Sequence, residues 1–206
     1  MPTEETRMAM IERCADLMAE GFRDDPGLLW QISELANGER IFKAQCKGEI
    51  EAFANLGLLR TEGDGGLLLG YTSEQAQTPE FAKEMTEGAK YLLQEATEQE
   101  LVAMQSKAMQ LVPITQPDWY VKFIGAAPVY TLQVVVVRAE LRGTGVFRRL
   151  LTPLLEQCAG EQRTIVLQTH NPENVPKYEH FGFELKESLH SAETNITCHN
   201  LMKTPD

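Results

Sequence analysis

The stretch Val134-Val135-Val136-Val137-Arg138-Ala139-Glu140-Leu141-Arg142-Gly143-Thr144-Gly145-Val146-Phe147-Arg148-Arg149-Leu150-Leu151 is a β-branched run that enters a Gly-containing turn and leaves as an amphipathic helix. Strand, turn and helix in that order gather several free backbone N–H groups and the positive end of a helix dipole around one point, which suits a phosphate. Taken alone the turn is a weak signal, because Gly-containing turns between strands and helices are common.

Working outward, the β-branched character extends over Val129 to Val137, and after a helix from Gly145 to Cys158 it returns in Ile165 to Thr169. Trp119 to Ile124 also reads as a strand, so the last third is predicted to be β-α-β. Pro172 and Pro176 bracket a short helix start near Asn174, Phe181 to Leu185 resumes extended structure, and Asn195 to Met202 reads as a final strand. The front half reads as helical. Residues 5–22 place Met8, Ile11, Ala15, Met18 and Phe22 on one stripe. A second helix starts at Pro26 and carries Leu28, Leu29, Ile32 and Leu35 to Asn37-Gly38; a third runs from Glu39 to Ala54, with Gly48 weakening it. Glu62-Gly63-Asp64-Gly65-Gly66 between two short apolar runs predicts a β-hairpin. Thr78-Pro79 starts one long helix or two shorter ones reaching Leu111, ended by Pro113 and Pro117. No linker divides helical front from β-rich back, so residues 1–206 are read as a single α/β domain.

Composition narrows the classes. The net charge of -11 argues against a nucleic-acid or anionic-membrane surface and favours a cationic partner. Cys14, Cys46, Cys158 and Cys198 lack zinc or disulfide spacing, so reduced thiols, no metal and a cytoplasmic setting are expected. No run approaches the ~20 apolar residues that span a bilayer, and no membrane association is expected.

Two motifs in order sharpen the phosphate reading. Arg142, Gly145 and Phe147 fall on the fixed places of a signature that runs Gln or Arg, two residues, Gly, one residue, Gly or Ala. Downstream, Asn171 after a strand, Tyr178 seven residues later and Phe181-Gly182-Phe183 complete a second motif. The chain here resembles the GNAT superfamily of N-acetyltransferases, most closely over residues 118–186. Phe22-Arg23-Asp24-Asp25-Pro26 with Trp30, Trp119-Tyr120-Val121 and Leu151-Thr152-Pro153-Leu154-Leu155 look like the puromycin-type branch. The chain departs in lacking that branch's strand before the first helix and in carrying Phe147 where the family has a small residue.

The resemblance implies a mixed, mostly antiparallel central sheet flanked by helices, and acetyl transfer from acetyl-CoA to a primary amine, of a small molecule first. It implies a pantetheine arm lying between parted strands against Val135, Val136 and Val137, and a diphosphate held by Arg142, Gly143, Thr144, Gly145, Val146, Phe147 and Arg148. It also implies Tyr178 as general acid toward the departing thiolate. Asn171 and Asn174 either bond the pantetheine amides or cap a helix. His170 is a base through water or a loop histidine. Asp24, Asp25 and Glu140 are alternatives, the two aspartates lining an acceptor pocket or forming a surface turn. Puromycin-type proteins tend to carry a carboxylate where this chain has Gln168. Two other readings stand beside the enzyme: a non-catalytic acyl-CoA sensor, supported by Gln168 and Phe147, and an acetyltransferase acting on a protein N-terminus or lysine. Many relatives are dimers, which makes a homodimer an implied state.

Overall fold

A computed structural model describes residues 3–205. Three helices lead: α1 (Glu4–Gly21), capped by the Thr3 hydroxyl, α2 (Pro26–Ile32) and α3 (Gly38–Asn55). The hairpin follows as β1 (Leu59–Glu62) and β2 (Gly66–Thr72), paired antiparallel from Leu59↔Leu69 to Glu62↔Gly66. Then come α4 (Pro79–Glu95) and α5 (Glu98–Leu111), so the long helical stretch is two helices. The break is local: Thr97 accepts from the Glu100 N–H while Glu100 bonds back to the Thr97 N–H, a capping box that starts a new helix. The second helix ends at Ile32, leaving Leu35 outside it.

The remainder is α6 (Val121–Ile124), β3 (Val129–Val137), α7 (Val146–Gly160), β4 (Thr164–Thr169), α8 (Val175–Glu179), β5 (Glu184–Ser191) and β6 (Ile196–Lys203). Residues 119–124, read from the sequence as a strand, form a helical turn instead. In the sheet order β1-β2-β3-β4-β6-β5, the first part of β3, where the segment packs, is already flanked by both β2 and β4 and has no edge to offer it. The segment therefore satisfies its own backbone, Val121 N–H bonding the Asp118 carbonyl and Ile124 N–H that of Tyr120, while Trp119 packs on Val129, Val166 and Met202. Phe181 and Gly182 are likewise a turn, and extended pairing begins only at Glu184.

Two cores sandwich the sheet. Leu67, Leu69, Val134 and Val136 face α1 and α3, whereas Leu68, Leu132, Leu167 and Leu201 face α7, where Leu151 and Leu154 are fully buried. Burying each such leucine stabilises the fold by roughly 1.5–3 kcal/mol. Leu132 and Val134, two residues apart, should share a face but lie on opposite ones. The cause is a β-bulge: Gly70 pairs with Leu132 and Leu69 with Val134, leaving Gln133 unopposed. Pro153 lies on the exposed side of α7, which continues through it; Arg149, whose carbonyl loses its donor, is also an exposed residue.

Gly48, the residue that weakens α3 as a sequence, is where α3 meets α4. A Cβ there would stand 2.1 Å from the Gly88 carbonyl oxygen, and one on Gly88 would stand 2.5 Å from that of Gly48. Backbone cannot yield as a flexible side chain can. Gly48→Ala is therefore expected to destabilise by about 1–3 kcal/mol, read from the denaturant midpoint; an unchanged midpoint would show that the helices do not cross this closely.

Candidate active site

The sheet opens between two of its strands. β3 and β4 run parallel and pair only through Val129↔Thr164, Tyr130↔Ile165 and Thr131↔Val166. Beyond that point Val134 to Val137 pair with β2, and Leu167 to Thr169 pair with β6, so the edges they turn toward each other carry unmatched backbone groups. Val135, Val136 and Val137 lie on this parted edge.

At the far end of β3 the chain turns through Ala139–Leu141 into the loop before α7. Gly143 and Gly145 have φ of 81° and 87°, a left-handed backbone that residues with a Cβ rarely adopt. No side chain caps α7, and among the described residues the N–H groups of Gly143, Gly145, Val146, Phe147 and Arg148 make no hydrogen bond within the chain. Five donors at a helix N-terminus form an anion cradle. Val146 is buried and pins the helix start to the sheet, while the Thr144 hydroxyl donates to the Leu141 carbonyl at 2.7 Å and stiffens the loop.

The Phe147 ring turns inward. It lies 5.7 Å from Tyr178 and 5.4 Å from Phe181, centroid to centroid, so it packs with the aromatic core rather than over the loop's N–H groups. Of the nearby arginines, Arg138 donates to the Asp64 carbonyl, and Arg149 binds Glu62 and the Thr144 carbonyl, so both brace the loop. Arg142 and Arg148 are exposed; Arg148 lies over the Phe181 ring at 5.5 Å and 3.4 Å from His180 Nε2. A phosphate fits this set by charge as well as by donors.

Tyr178 stands between α8 and the sheet, buried among Phe147, Phe183 and the leucines on the α7 side. Burial alone pushes its phenol up, so the hydroxyl keeps its proton at neutral pH, the form a proton donor needs. Asn171 and Asn174 both act as local braces. Asn171 Oδ1 accepts from the Glu173 N–H at 2.9 Å, and Asn174 Nδ2 donates to Thr169 Oγ1 at 3.1 Å while its oxygen accepts from Lys177.

The alternative bases separate in space. Glu140 and Asp24 are exposed. Asp25 caps α2, accepting from the Leu28 N–H at 2.9 Å, and the same oxygen lies 3.6 Å from His170 Nδ1. Gly27 packs on that imidazole so closely that a Cβ would stand 2.3 Å from Nδ1; the other ring nitrogen, Nε2, is buried and makes no hydrogen bond among the described residues. Gln168 donates to Asn200 Oδ1 at 2.8 Å within a polar chain that continues to Glu187 and Lys122, so it is occupied structurally.

One ionisable group was not picked out by sequence patterns. Glu49 projects from α3 into a cavity of about 350 Å³ bounded by α3, α4, α5 and Gln31 of α2. Burial raises its carboxyl to about 7, partly offset by the Gln133 side chain, whose Nε2 donates to Glu49 Oε1 at 3.5 Å. Gly48 beside it was the one sequence sign that this face of the helix is special. No group of three or more His, Cys, Asp or Glu side chains among the described residues is arranged to hold a metal ion.

Comparison with known proteins agrees with this architecture. A crystal structure described as histone acetyltransferase HPA2 and related acetyltransferase from Corynebacterium glutamicum superposes over 100% of this chain and 94% of its own, with a TM-score of 0.58 and 16% identity. An N-acetyltransferase from Staphylococcus aureus gives a TM-score of 0.58 at 14% identity, covering 95% of this chain and 96% of its own. At these identities the likeness is one of fold. In sequence, an uncharacterized N-acetyltransferase of Schizosaccharomyces pombe is 30% identical over 78 residues, 38% of this chain and 27% of that protein, so the chain matches only about a quarter of that curated relative's length. Residues 57–204, from just after α3 to the end of β6, match the family model described as the acetyltransferase (GNAT) domain, and the chain belongs to the GNAT acetyltransferase family.

Proposed function

We propose that the protein is an N-acetyltransferase that moves an acetyl group from acetyl-CoA, the family's donor, to the primary amine of a small molecule. The parting of β3 and β4 carries this reading. Unmatched backbone on both edges suits the amide-rich pantetheine arm, and the cradle before α7 stands at the end of the same opening, where the diphosphate would lie. Val135 to Val137 would pair with the arm, Gly143 to Arg148 would donate N–H groups to the diphosphate, and Arg142 and Arg148 would add charge. The thioester supplies the activated acetyl group. Tyr178 would hold a proton for the departing sulfur, while Asn171 and Asn174 shape the turn that carries it.

The small-molecule acceptor is favoured over a polypeptide because the cavity at Glu49 has a volume of about 350 Å³, within the range of ~300–1,000 Å³ typical of ligand pockets. Acetyl-CoA at about 100 times its Kd should add about 2.7 kcal/mol of stability, a rise of several degrees in melting temperature. Thiol release from acetyl-CoA across a panel of primary amines then tests turnover. No shift at millimolar acetyl-CoA would refute donor binding, and a shift with no release for any amine would favour the sensor reading instead.

A further inference from the structure

Glu49 stands out as a carboxylate without a cation. Two residues along the same helix, Glu51 is buried and paired, with Lys90 Nζ at 2.6 Å and Arg7 at 3.9 Å; Glu49 is half-buried and forms no ion pair among the described residues. Its cavity is walled by Met85, Leu92, Leu101 and Met104, and Glu49 is the one ionisable residue of the lining. A carboxyl in such a place costs stability, and a group retained at that cost in a cavity is a candidate for function.

Its position relative to the opening is specific. Gln133, which donates to Glu49, is the bulge residue of β3 and lies two residues beyond Thr131, the last β3 residue paired with β4. The carboxylate is thus held beside the point where the sheet parts. α3 packs on the Leu67 and Val134 face, whereas Tyr178 belongs to the Leu68 and Leu132 face. A proton acceptor and a proton donor thus lie on the two faces of the sheet beside one opening, where one can serve the attacking nitrogen and the other the departing sulfur.

We propose that the cavity between α3, α4 and α5 is the acceptor pocket and that Glu49 is the catalytic residue that binds the acceptor's ammonium and removes its proton; this rests on the acetyltransferase reading above. The acceptor class is a primary amine with a single charge and an apolar or aromatic tail, because a second cationic centre would meet no second carboxylate in the lining. In the transfer, Glu49 takes a proton from R–NH3+, the freed nitrogen bonds to the acetyl carbon and the carbon–sulfur bond breaks. The thiolate takes the Tyr178 proton, the phenol regains one, and the nitrogen's second proton and the one on Glu49 pass on, so that one proton in all is released to solvent.

A carboxyl that titrates near 7 is half ionised at neutral pH, as a base in this role should be. The ionisable groups that feel its charge are Cys46 on its own helix and Tyr71 on β2; burial raises both, so both stay neutral through that range. Between the ordinary value of 4.5 and about 7 the folded protein keeps a proton on Glu49 that the unfolded chain has lost. Stability therefore falls as pH rises through that window, and Glu49→Gln, which cannot ionise, should melt no lower than the parent above it.

The test uses the full chain with saturating acetyl-CoA, and follows thiol release with 2-phenylethylamine and with spermidine across pH, beside acetyl-CoA binding and melting temperature. The parent should show kcat/KM for 2-phenylethylamine rising with pH to a plateau above about 7, with spermidine at least about tenfold poorer. Glu49→Gln should lower kcat/KM about 100-fold and lose that rise, with donor affinity and folding kept, and Glu49→Asp should restore part of both. Retained activity and pH dependence in Glu49→Gln, or a preference for spermidine, would overturn the assignment while leaving the acetyltransferase reading intact. Absence of donor binding in the parent would overturn both.

Discussion

Tyr178→Phe is expected to lower turnover about 100-fold at saturating substrates, the size of a lost general acid, with acetyl-CoA affinity within about twofold of the parent. The substitution removes one oxygen and leaves the ring among Phe147 and Phe183. Burial is the sole cause that raises the phenol, with no charged or hydrogen-bonded neighbour contributing, so deleting the hydroxyl strands no partner. The melting temperature should hardly move. That separates a chemical role from a packing role, for which a Phe is nearly a perfect substitute. Unchanged turnover would remove Tyr178 as proton donor and leave it an aromatic wall of the α7-side core.

Gly145→Val should raise the Kd for acetyl-CoA about 100-fold while kcat at saturating donor changes little. Gly145 has φ 87° and ψ 1°, a conformation that costs a residue with a Cβ roughly 1–2 kcal/mol and a β-branched one more. To relieve that strain the peptide before Val146 must rotate, and the N–H groups that converge at the α7 N-terminus then diverge. Each charge-assisted bond is worth about 1.5–3 kcal/mol, so losing one or two accounts for the expected factor. Val146 and Leu150 are buried on the sheet and should hold the helix in place, so calorimetry of the folded variant reads the loop itself. Parent-like affinity would mean that the diphosphate lies elsewhere.

The cradle was legible because it is local. A valine run, two glycines and an amphipathic helix are contiguous, and the backbone geometry that follows is set by neighbours a few residues apart. The capping residue Thr78 was readable for the same reason, its hydroxyl accepting from the Phe81 N–H three residues on, whereas Asp25, read as a pocket or turn residue, caps α2 in the structure. Glu49 was not, because nothing within α3 marks it. Its partial burial comes from α4 and α5, some 40 to 60 positions later, and its tie to β3 from Gln133. Trp119 to Ile124 failed as a strand for a comparable reason: its aromatic and β-branched residues suit a sheet, but β3 and β4, where the segment packs, are already paired on both sides.

By itself, then, the sequence determined the order of most elements, the Gly-containing turn before α7 and the family, all of which rest on short-range periodicity and on motif spacing. The tertiary structure alone decided which face each side chain takes beyond the bulge at Gln133, since four consecutive valines look the same in either register. It also decided where β3 and β4 part, that Phe147 turns into the core, and that a carboxylate from the helical front half is held beside the opening. Those features depend on contacts between residues far apart in the chain, where packing volume and the supply of unpaired backbone, rather than local preference, select the outcome.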